Sequence, residues 1–116
     1  MEKGFKSLVV WQRSMSLVAE VYGLVQNLPA KEQYALADQI RRAVVSIPSN
    51  IAEGNRRGGK KEYVHFLRVA NGSLAELETQ LLLLESLYPP HNTEKALLLV
   101  EEIGKMLFVL IRKLSD

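Results

Sequence analysis

Apolar residues recur along this chain at alternating intervals of three and four over four long stretches, the spacing of one face of an α-helix. In the first stretch Leu8, Trp11, Met15, Val18, Tyr22 and Val25 form a seam, and Leu17, Val21, Leu24 and Leu28 form a second stripe beside it. Pro29 disfavours a helical residue before it, so this helix is expected over about 7–28. The second stretch keeps Leu36, Ile40, Val44, Ile47 and Ile51 in phase over about 31–54, with Gly54 as the expected stop. The third is the most regular: Tyr63, Leu67, Ala70, Leu74, Leu77, Leu81, Leu84 and Tyr88 over about 60–88, ended by Pro89-Pro90. Asn92-Thr93-Glu94 offers caps for a fourth, over about 93–115, whose seam is Ala96, Val100, Ile103, Leu107, Leu110 and Leu114. No segment alternates with period two for long enough to suggest a sheet. Connections of about two to eight residues make successive helices antiparallel neighbours. The expected fold is all-α: one antiparallel up-down-up-down four-helix bundle over residues 1–116.

Pro48 conflicts with this pattern. Inside a helix it loses the hydrogen bond to the Val44 carbonyl and clashes with it, at about 3 kcal/mol. The in-phase seam from Ile40 to Ile51 favours a continuous helix kinked at Pro48. The alternative is a break, with Asn50 capping a second piece and Glu53 completing the capping box.

Composition narrows the class. The 116 residues suit one core, and 47% hydrophobic with only 7% aromatic content suits helices packed on helices. The absence of cysteine excludes disulfides, thiolate metal sites and thiol catalysis. The start, Met1-Glu2-Lys3-Gly4, has no apolar run behind a basic segment, and no apolar stretch reaches the roughly 18–20 residues that span a bilayer. A soluble cytoplasmic protein is expected. Net charge is only +2 with pI near 9.0; residues 30–58 carry five Lys/Arg against three Asp/Glu, and residues 59–88 three against four. The local excess sits at Arg41-Arg42 and at Arg56-Arg57 with Lys60-Lys61.

Val10-Trp11-Gln12, Glu32-x-Tyr34-x-Leu36, Gln39-Ile40-Arg41-Arg42-Ala43, Ser46 through Gly54 (SIPSNIAEG), and Ala70-Asn71-Gly72-Ser73-Leu74-x-Glu76 carry a resemblance. Over residues 5–88 the chain resembles the four-helix-bundle proteins encoded in intervening sequences of bacterial 23S ribosomal RNA genes. It is also similar to the accessory variability bundle of diversity-generating retroelements. The resemblance implies a self-associating bundle, with homopentamers as the described assembly, and a basic surface for nucleic acid. It implies no cofactor.

The candidate sites are few. Arg42 is expected to pair with Glu76 across the second and third helices, with Ser46, Asn50 and Glu53 extending a polar strip that sets their register. Removing one partner of such a buried pair would cost about 3–5 kcal/mol. The functional alternative is a phosphate contact from the guanidinium fork. Small residues at Asn71-Gly72-Ser73 are expected to let the helices approach closely. Arg56, Arg57, Lys60 and Lys61 put four cations in six residues at one tip, suited to phosphates or simply solvated. No aromatic lies among them in sequence to stack a base.

Other patterns weaken on inspection. Gly54 to Lys61 nearly spells a P-loop but places Lys61 where a Ser or Thr should hold magnesium, after a helix rather than a strand. Glu62-x-x-His65 is half a di-iron motif without its second half. Trp11, Tyr22, Tyr34 and Tyr63 are expected in the core or an interface, and the surplus apolar stripe with Leu82-Leu83 argues for self-association. The expected protein is therefore non-enzymatic: a homo-oligomer, a pentamer by resemblance, contacting RNA or DNA at its tip, with no membrane, metal or small-molecule partner. The alternative is a structural or protein–protein adaptor.

Overall fold

A computed structural model describes residues 4–89 and 91–116; residues 1–3, and Pro90 of the expected Pro-Pro terminator, lie outside the described residues. A short 3-10 turn, Phe5–Ser7, leads into α1 (Val9–Val25), one-turn α2 (Ala30–Gln33), α3 (Leu36–Arg57), α4 (Lys60–Leu87) and α5 (Glu94–Ser115). Four long helices thus account for the chain, with no strand among the described residues. The molecule measures 46 × 22 × 21 Å.

One connected core of buried side chains runs the length of the molecule, from Val10 and Ile51 to Leu28, Leu84 and Ala96. The expected seams of the third and fourth stretches line it: Leu67, Ala70, Leu74, Leu77, Leu81 and Leu84 from α4, and Ala96, Val100, Ile103 and Leu107 from α5. In α1 the buried line draws on Leu17 and Val21 of the second stripe and Val25 of the first. Val10, Ser14, Leu17, Val21 and Val25 are buried, whereas Met15 and Tyr22 of the first-named seam stand 46% and 41% exposed. Both stripes are apolar, so periodicity alone does not choose between them; contact with α3 and α5 does.

The second helix also departs from expectation. Gln26 ends α1 early, and one turn (Ala30–Gln33) intervenes before α3 starts at Leu36 rather than near residue 31. Gln33 holds this corner by donating its amide to the carbonyls of Val25 and Leu28, both at 3.0 Å. The Val25 carbonyl ends α1 and also accepts the Leu28 N–H at 3.2 Å; the Leu28 carbonyl lies in the turn beyond it. The helix then continues unbroken through a buried Pro48. Asn50, instead of capping a new helix, donates back to the Ser46 carbonyl at 2.8 Å, and Ser49 donates to Val45 at 2.9 Å. Gly54 is not the stop either. The helix ends at Gly58, whose φ of 89° is the left-handed cap that glycine adopts without strain.

Each long helix packs on two others. The α3–α4 interface is the most extensive, followed by α1–α3, α4–α5 and α1–α5. Gly54 sits at a close approach of α3 and α4: a Cβ built there would lie 2.7 Å from the Phe66 Cβ and 3.3 Å from the Tyr63 carbonyl oxygen. The expected small-residue contact at Gly72 is not made, for Gly72 is exposed with open space around it. Its neighbour Ser73 makes the approach instead, hydroxyl to hydroxyl with Ser46 at 2.7 Å.

Candidate nucleic-acid interface

The expected polar strip divides into three separate arrangements. Ser46, Asn50 and Ser73 do meet between α3 and α4, with the Asn50 amide donating to the Ser46 hydroxyl at 3.0 Å. Arg42 and Glu76 do not pair. Arg42 is exposed and contacts Asp38 one turn back at 3.3 Å, while Glu76 accepts from Gln80 on its own helix at 3.3 Å. The reason is angular: Ala43 and Val44 take the buried face, which turns Arg42 outward. Glu53 leaves the strip as well and accepts from Arg57 at 2.7 Å.

The four tip cations separate by role. Arg57 also donates to Glu62 at 3.2 Å and lies 5.1 Å from the centre of the Phe66 ring. The Glu53 hydrogen bond, then the two carboxylate charges, raise its pKa further despite some desolvation. It ties α3 to α4 across Gly58-Gly59. Arg56 rests over the Phe5 ring at 5.5 Å. Arg56, Lys60 and Lys61 are exposed and have no carboxylate partner among the described residues. Residues 54–57 are helical, so this stretch forms no phosphate-cradling loop. Aromatics absent from the linear neighbourhood do arrive in three dimensions, as Phe5 from the N-terminal turn and His65 edge-on to Phe66.

The tip is part of something larger. Arg56 over Phe5, Arg57 on Glu62, and Arg68 flanking one cleft with Arg112 and Ser115 place residues 4–16, 47–73 and 105–116 in the same half of the molecule. With residues 99–104, which the Arg13–Glu102 and Lys105–Glu101 pairs place at the same level, that half carries ten Lys/Arg against five Asp/Glu, whereas residues 17–46 and 74–98 carry four against seven. A chain of net charge +2 is therefore strongly basic at one end and acidic at the other. Sequence reading missed this because the excess is assembled from three separated segments, each modest by itself.

The opposite end is stitched by neutral and acidic groups. Arg41 reaches the Gln33 side chain and lies 5.9 Å from the Tyr22 ring centre. Tyr88 donates to the Glu32 carboxylate, which with burial holds its phenol above the usual range. Buried Thr93 donates to Glu85. Tyr34, expected inside or in an interface, is 93% exposed. His65 is exposed, and no three of the described His, Asp and Glu residues gather as a metal site. No described helix is long and apolar enough to cross a membrane.

The family described as the 23S rRNA-intervening sequence protein matches residues 6–109. The chain belongs to this family. Its fold is also that of a crystal structure described as a protein of unknown function from the S23 ribosomal protein family of Bacteroides thetaiotaomicron VPI-5482. The two share 24% identity at a TM-score of 0.78, over 89% of this chain and 98% of that one. No match was found among curated proteins. Among the residues that carried the resemblance, Trp11 packs edge-on to Phe5 at 5.3 Å and Gly54 faces the Phe66 Cβ across α3 and α4.

Proposed function

We propose that this family member is a non-enzymatic helical protein that contacts RNA or DNA through its basic end and associates with copies of itself. The observation that carries the reading is the segregation of charge along the long axis. At physiological ionic strength a charge is screened over about 8–10 Å, far less than the 46 Å length. A phosphate backbone approaching the basic end would therefore meet a field that the acidic end barely offsets. Lys60 and Lys61 add a second argument. They occupy the first turn of α4, where the helix dipole disfavours cations by about 0.3–1 kcal/mol each. Such a placement is locally costly and suits an external anion.

In this reading the long helices run antiparallel, up-down-up-down. Support comes from paired contacts: Ser46 meets Ser73 in mid-helix while Arg57 meets Glu62 at the joint, and Arg13 meets Glu102 while Glu20 meets Lys95. Association is supported by an open groove between α1 and α3 lined by Trp11, Met15, Val18, Val45 and Ala52. Five subunits is the number that the family resemblance implies, and the cytoplasm is where such a protein meets RNA.

The test replaces Arg56, Lys60 and Lys61 together with Glu and leaves Arg57 in place to hold the α3–α4 joint. Wild-type protein should bind labelled RNA or DNA with an affinity that falls steeply as salt rises, by a slope of about 0.7–0.9 per phosphate contact. The variant should bind far more weakly. Absence of salt-sensitive binding by the wild type, or equal binding by the variant, overturns the proposal.

A further inference from the structure

Beyond the tip, the same basic half contains a cleft of about 450 Å3 between the N-terminal half of α4 and the C-terminal half of α5. We propose that this cleft receives one unpaired nucleotide of a single strand, its base against the Phe108 ring and its phosphate between Arg68 and Arg112. The proposal rests on the reading of the basic end as a nucleic-acid surface and specifies what kind of nucleic acid that surface takes.

Four observations converge on it. Phe108 is 65% exposed, an aromatic face left in water on a helix whose buried line runs through Ile103 and Leu107. Its neighbours one turn away are Gly104, Ile111 and two cations, Lys105 (3.9 Å from Glu101) three residues before and Arg112 four residues after, a mixed setting that suits a flat ring carrying phosphate. Arg68 and Arg112 have no carboxylate partner among the described residues, and no side-chain hydrogen bond occupies the amide of Asn71 beside them. Gly104 lies at the cleft. A glycine inside a helix is a local cost, and packing does not demand this one, since an added Cβ would meet only Leu74 at an ordinary 3.5 Å. Its missing side chain keeps the cleft open.

The cleft is also continuous with the tip. Lys61, His65 and Arg68 are exposed at four- and three-residue spacing along α4, so Lys61 lies about 10 Å from Arg68 along the helix. A strand held at Lys60 and Lys61 would reach the cleft in the same direction. In a duplex the bases are stacked and paired, so no ring is free to enter. Single strands present their bases to aromatic side chains in this way.

The experiment compares wild type with Phe108→Ala, Phe108→Tyr and the double variant Arg68→Ala/Arg112→Ala. Binding to labelled oligouridylate, to oligothymidylate and to duplex RNA is measured across a salt series. Circular dichroism confirms that each variant is folded, and Phe108→Tyr keeps the ring should Phe108→Ala disturb the helix. Expected are an approximately tenfold weakening of single-strand binding for Phe108→Ala at unchanged salt slope and retention of binding by Phe108→Tyr. The double Arg variant should show a slope shallower by about 0.7, the one phosphate that Arg68 and Arg112 share. Duplex binding should not change with Phe108→Ala. A loss confined to RNA or to DNA also supports the cleft and identifies the sugar it accepts. If Phe108→Ala binds both single strands as wild type does, or loses duplex binding equally, the cleft assignment is overturned while the tip stands. If wild type binds no nucleic acid, both fall.

Discussion

Arg56 and Arg57 are adjacent in sequence and differ in what they are available to do. Arg57 is committed to Glu53 and Glu62, and its loss would loosen the joint between α3 and α4; Arg56, lying over Phe5, keeps its charge open to solvent. Gln80 shows the converse, a polar side chain in the core whose Oε1 has no hydrogen-bond partner among the described residues. Tyr88 offers a pH test. Its hydrogen bond to Glu32 favours the neutral phenol, so its folded pKa lies above the ordinary 10.0. The linked stability is fully present below pH 10 and lost as pH rises through the folded value. The Tm difference between wild type and Tyr88→Phe should accordingly be constant up to about pH 10 and narrow above it. A difference that stays constant through higher pH would show that this bond contributes nothing.

At the scale of elements, two mid-helix glycines make opposite predictions. Gly54 faces the Phe66 Cβ and the Tyr63 backbone, neither of which can move without its helix, so Gly54→Ala should overpack the α3–α4 seam and lose about 1–2 kcal/mol despite better helix propensity. Gly104 has room for a methyl, so Gly104→Ala should gain about 0.5–1 kcal/mol. Urea denaturation of the two variants decides the matter, and equal shifts would contradict the packing argument. Pro48 belongs to the same scale. Its ring is buried on the inner face of α3, while Ser49 and Asn50 donate to the carbonyls of Val45 and Ser46 and not to the Val44 carbonyl that Pro48 leaves without a donor.

For the whole molecule, the decisive feature is polarity of charge along one axis combined with apolar surface on the flanks. Association through the α1–α3 groove is testable by light scattering. Wild type should exceed the monomer mass, and Met15→Lys with Val45→Lys, both at positions already more than 40% exposed, should reduce it to a monomer without loss of helicity. A wild-type monomer would remove the self-association proposal and leave the groove to a foreign helix, the adaptor alternative. On the proposed function, assembly would couple to nucleic-acid binding in one respect: each added copy would repeat the basic end and raise avidity without new contacts.

The four long helices, their approximate spans, the seams of α4 and α5 and family membership were legible in sequence, because helical periodicity and the SIPSNIAEG stretch are local properties that survive any packing. Tertiary contacts decided the rest. The choice between the two stripes of α1 depended on which one α3 and α5 cover. The fate of Arg42 depended on the rotation of α3 about its axis, which turns Ala43 and Val44 inward. The stop at Gly58 rather than Gly54 depended on a left-handed residue at the joint and on the close approach of Phe66. Most of all, the basic end with its aromatic-lined cleft draws on α1, α3, α4 and α5 together. Charges far apart in a linear chain sum into one field only after helix packing has gathered them.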